Sequence, residues 1–78
     1  MLNHLKDRLT FLASGCHTVQ RLMSLTNDHL RTDWNNLTFD QIDELSKWLD
    51  GRIRANGAGA SISWMIIRDV FVLQREVN

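Results

Sequence analysis

The chain has 78 residues, 44% hydrophobic and 23% charged, which places it among globular proteins and excludes a disordered or fibrous chain. Nine basic residues balance nine acidic ones, and a formal charge of zero removes the attraction on which phosphate-backbone binding depends. The single cysteine, Cys16, excludes an internal disulfide framework, and Met1 to Lys6 lacks the basic-then-apolar pattern of a secretion signal, so the expected setting is soluble and cytoplasmic.

With no proline and only four glycines, few breaks are obligatory and helices are favoured over a turn-rich β fold. The first element is expected over about residues 3–31. Leu2, Leu5, Leu9, Leu12, Cys16, Val19, Met23, Thr26 and Leu30 recur at alternating spacings of three and four, the seam of a helix packing along a partner. Gly15 is its weak point, because glycine inside a helix costs about 0.8–1 kcal/mol relative to alanine. The expectation is one long helix bent at Ser14-Gly15, with a break there into two shorter helices as the alternative.

Thr32, Asp33, Asn35 and Asn36 around Trp34 have the composition of a loop, since their short polar side chains bond to nearby backbone. Thr38-Phe39-Asp40-Gln41 then matches a capping box, with Leu37 placed to staple onto Ile42. A second helix follows over about 39–55. Its core stripe reads Phe39, Ile42, Leu45, Leu49 and Ile53, flanked by Trp48, and its charges suit the macrodipole at both ends. Asn56-Gly57 reads as its stop and Gly57 to Ala60 as a loop.

A third helix is expected over about 61–77, with Ser61 as cap. Its β-branched and aromatic content makes a strand, and hence an α+β fold, the alternative. Helix is preferred because Trp64 to Ile67 is continuously apolar, while Ile62, Ile66, Val70, Leu73 and Val77 share one helical stripe. No apolar run reaches the roughly 18 residues of a membrane span.

This third helix carries a second apolar stripe, Trp64, Ile67 and Phe71, well around from the first. A three-helix bundle has no spare helix to cover it. Either the stripe is core, wrapped by the long first helix, or it meets a partner together with Arg68 beside it and with Trp34. Aromatic residues and arginine are the types enriched at interface hot spots.

Catalytic and metal-binding arrangements are not found. On one long helix His4, His17 and His29 scatter around the circumference, with no pair at the three- or four-residue spacing that shares a metal. Cys16 and His17 are adjacent and diverge by about 100° on a helix, and Cys16 falls on the apolar seam as a small buried residue. Asp40, Asp43, Glu44 and Asp50 read as a solvated face. Gly57 to Ser61 lacks the Gly-Lys-Ser/Thr element and leading strand of a phosphate-binding loop.

The sequence therefore reads as an all-α three-helix bundle, one domain over residues 1–78, with no cofactor and no enzymatic activity. The expected role is a protein–protein interaction module: an adaptor, regulator or stoichiometric inhibitor of the phage or mobile-element type, binding another protein or a second copy of itself. The expected contact residues are Trp34, Trp64, Ile67, Arg68 and Phe71. The alternative is a small nucleic-acid-binding regulator with Arg52 and Arg54 on phosphates, which the neutral charge disfavours.

Overall fold

Ser14 and Gly15 end the first helix instead of bending it. The computed structural model describes residues 2–15 and 17–77, with side chains at all of these except 57–60 and 77. It shows four helices: α1 (Leu2–Ser14), α2 (Val19–Trp34), α3 (Phe39–Ala60) and α4 (Ile62–Val77). The expected long N-terminal helix is two helices, and the three-helix count is corrected to four. No strand occurs among the described residues, so the alternative with a C-terminal strand is set aside.

The break between α1 and α2 is built from local chemistry. The Gly15 amide donates to the Leu12 carbonyl at 3.3 Å, a tightened last turn. Thr18 then adopts an extended conformation (φ −68°, ψ 160°), and its hydroxyl accepts from the Arg21 amide at 3.2 Å. A threonine cap of this kind is worth about 1 kcal/mol, enough to fix the new start. Leu2, Leu5, Leu9 and Leu12 are buried as the spacing predicts, but the seam does not continue through Val19 and Met23, which are exposed. Thr26 and Leu30 of that seam are buried as expected, joined on the inner face of α2 by Leu22 and Trp34. Cys16, expected on the seam, lies outside the described residues.

At the second junction the expected capping box is present. The Gln41 amide donates to the Thr38 hydroxyl at 3.2 Å, and the Thr38 amide donates to the Gln41 side-chain oxygen at 2.9 Å. Leu37 and Ile42 both pack into the core cluster there. The loop expected around Trp34 is shorter than its composition suggests: Thr32, Asp33 and Trp34 form the last turn of α2, and the Asn36 and Leu37 amides close it onto the carbonyls of Asp33 and Trp34. Phe39, read as core, sits at the first position of α3 and is 89% exposed, whereas Ile42, Leu45 and Leu49 are buried.

Helix α3 runs five residues beyond its expected end, through the stretch read as a loop. The Asn56 side chain donates to the Arg52 carbonyl at 2.7 Å within the helix instead of capping its end. No proline stands in the way, and alanine at 55, 58 and 60 favours continuation of the helix. Only Ser61, buried, separates α3 from α4.

Helix α4 touches all three other helices. The break at Gly15 explains how: one continuous helix lies along one side of α4, whereas two shorter ones approach it from different directions. Its stripe of Trp64, Ile67 and Phe71 is consequently buried, with Trp34 against Phe71 (ring centroids 5.6 Å apart) and Trp48 edge-on to Trp64 (5.3 Å). Around this core, Lys6 pairs with Glu44 at 3.0 Å, Arg75 with Asp43 at 2.9 Å, and Arg8 with Asp33. The first two are exposed, each worth at most about 1 kcal/mol, and they orient helices more than they hold them.

Candidate binding grooves

The residues expected to meet a partner do not form an outward surface. Trp64 is 6% exposed, Ile67 0%, Phe71 1% and Trp34 7%; these four are core, because α2 and α3 close over them. Arg68 lies half-buried on the flank of α4, its guanidinium 4.0 Å from Asp50 and 3.7 Å from Asp69. For the Trp64, Ile67 and Phe71 stripe the burial agrees with the core alternative, and it is the other stripe of α4 that faces outward. Ile62 and Leu73, expected in the core, are more than half exposed, Ile66 is half-buried, and of that stripe's described side chains only Val70 is buried.

Leu73 also borders a groove. Met23, Ser24 and Asn27 of α2 face Val70, Leu73 and Gln74 of α4 across an open cleft of about 350 Å³. Its floor is apolar and its rim carries neutral amides and a hydroxyl. Met23 is exposed beside the buried face formed by Leu22, Thr26 and Leu30.

A second groove, of about 480 Å³, lies between α1 and α2. Phe11, Leu12 and Leu25 supply its apolar part, and Phe11 is 77% exposed. All three histidines of the chain, His4, His17 and His29, line it together with Asp7 and Arg8. The expectation that the histidines scatter is overturned. It assumed one helix, and folding α2 back on α1 brings their residues to a common groove. The His17 ring lies over Gly15 so closely that a β-carbon there would be 2.6 Å from Nε2, and that nitrogen is buried with no hydrogen-bond partner. Among the described residues, no group of three or more histidine, cysteine, aspartate and glutamate side chains is placed to share a metal ion.

The carboxylates weighed as acid or base candidates are tied into surface ion pairs instead: Asp43 to Arg75, Glu44 to Lys6 and Asp50 to Arg68, while Asp40 is exposed in the first turn of α3. No helix is long and apolar enough among the described residues to cross a membrane. No family model, curated protein or solved structure matches the chain. What the molecule does therefore rests on its surface chemistry alone.

Sequence reasoning missed the α2–α4 groove because it placed Met23, Ile62 and Leu73 in the core. The available signal was Thr18, a good N-cap residue three positions after Gly15, which together mark a stop and a restart.

Proposed function

We propose that this protein is a non-catalytic interaction module, an adaptor, regulator or stoichiometric inhibitor, that binds another protein or a second copy of itself through the α2–α4 face. The observation that carries this reading is the pair of exposed apolar side chains, Met23 of α2 and Leu73 of α4, that flank a groove floored by Val70. Single exposed hydrophobics are ordinary, but exposed apolar side chains on both walls of an apolar groove favour an interaction surface. Methionine at its centre suits such a surface, because its flexible side chain adapts to a partner. A cleft between two helices with an apolar floor accepts a third helix by its apolar side. The lone cysteine and zero net charge fit a reducing compartment and a protein partner better than nucleic acid.

Light scattering behind size exclusion, over a range of concentrations, tests self-association. A dimer that Leu73→Glu dissolves while the helical signal persists supports the face as a homotypic contact. For a foreign partner, a photo-reactive residue at position 73 in the producing cell is expected to give a discrete adduct, lost when Met23→Glu is added. A monomer that forms no adduct refutes the reading.

A further inference from the structure

We propose that the outward side of α4, with its groove against α2, receives an amphipathic helix of another protein, one that carries lysine or arginine beside its apolar stripe. The inference rests on the interaction role of this face and adds the chemistry of the partner.

The spacing along α4 builds the seat. Ile62, Met65, Asp69, Val72, Leu73 and Glu76 recur at steps of three and four, and at 100° per residue they fall within an arc of about 100°. The four apolar side chains are each between 42% and 57% exposed, and both acids are exposed as well. A helix laid along this arc meets apolar anchors at the first and third turns, the pattern by which helices are read in grooves. Leu73 also walls the groove with Met23, so the seat reaches across to α2, which adds the uncharged Ser24 and Asn27.

The charges on that arc select the partner. Asp69 and Glu76 stand two turns apart on one line, amid the apolar anchors. The arginines of α4 do not neutralise them. Arg75 is held by Asp43 of α3 at 2.9 Å, and Arg68 lies 4.0 Å from Asp50 and 3.7 Å from Asp69. The last distance is too long for a hydrogen bond, so the Asp69 carboxylate keeps its acceptors open. Among the described residues Glu76 has no ion pair, and it lies in the last turn of α4, the negative end of the helix dipole, where a cation is favoured. An uncharged partner helix would strip water from both carboxylates and return nothing, whereas a basic one pairs them. A second copy fits poorly. Antiparallel self-packing about residue 69, the midpoint of the arc, sets Asp69 on Asp69 and Glu76 on Ile62, and parallel self-packing sets like on like throughout.

The probes are two synthetic helices of about three heptads with leucine at a and d, one carrying lysine and the other glutamate at e and g; like charges keep each monomeric. Each is titrated into the full-length chain and followed by backbone amide shifts. The lysine peptide is expected to shift Met23, Met65 and Leu73 and to bind at least about tenfold more tightly than the glutamate peptide, the size of two exposed ion pairs. Added salt should narrow that gap. The Asp69→Asn/Glu76→Gln chain is expected to bind the two peptides about equally with its helical signal intact; should it lose its fold, Glu76→Gln alone carries the test with about a threefold loss for the lysine peptide. Equal affinity of the unaltered chain for both peptides, or a dimer sensitive to Leu73→Glu that the lysine peptide does not displace, overturns the partner chemistry and leaves the interaction role standing. Shifts centred on Phe11 and Leu25, or no binding of the lysine peptide at about millimolar concentration, overturn it too. The photo-adduct at position 73 then decides whether the interaction role falls with it.

Discussion

Helix α4 presents two apolar stripes of similar composition, and they have opposite fates. Trp64, Ile67 and Phe71 are sealed by α2 and α3, whereas Ile62 and Leu73 remain in water. Hydrophobicity along the helix does not distinguish them; the helices that arrive on each side do. The inner stripe is wanted by the fold and the outer stripe is left by it, which is why the outer one is available for a partner.

Substitutions on the two stripes should therefore separate cleanly. Phe71→Ala has the largest expected effect, about 3–5 kcal/mol from lost burial and the cavity left beside Trp34, enough to abolish folding in a chain of this size. Circular dichroism under urea measures it. A Phe71→Ala protein that retains its unfolding midpoint breaks the comparison. Ile67→Val removes one buried methylene and is expected to cost about 0.5–1.5 kcal/mol with the fold intact, read from the same titration. Gly51→Ala sharpens the test from the other direction: a β-carbon there meets nothing within 4 Å, so filling this helical position should stabilise the protein by about 0.5–1 kcal/mol. That gain supplies a background in which inner-stripe variants can be measured while still folded. Smallest of all, Leu73→Glu is expected to change stability by no more than about 0.5 kcal/mol while altering the association read by light scattering. A large loss of stability there returns the outer stripe to the core.

Features fixed by a few neighbouring residues were legible in the sequence. The Thr38–Gln41 box, the buried leucines of α1, the helical state of α4 and the core positions Ile42, Leu45 and Leu49 all follow from spacing or from a cap within one turn. What was not legible depends on tertiary placement. The seam from Leu2 to Leu30 keeps its rhythm across Gly15, so periodicity favoured one helix, but Thr18 caps a new helix in which Thr26 and Leu30 stay buried while Val19 and Met23 are exposed. That break folds α2 back on α1, which brings the histidines to one groove and places Trp34 of α2 against Phe71. The candidate surface was misplaced because burial on α4 depends on how its neighbours cross it, a non-local property. Phe39 shows the same limit at a helix start, where the stripe extrapolates correctly but the core has already ended.

The three tryptophans also make the protein its own optical reporter. Trp34 stacks near Phe71 at the α2–α3 turn, while Trp48 and Trp64 meet farther along α3 and α4, with Lys6 and Arg52 over the Trp48 ring. Emission from Trp34 alone, or from the Trp48–Trp64 pair in a Trp34→Phe chain, watches different stretches of one small core. Coincident denaturation curves would show that the four helices melt as a unit, and divergent ones would show which end loosens first.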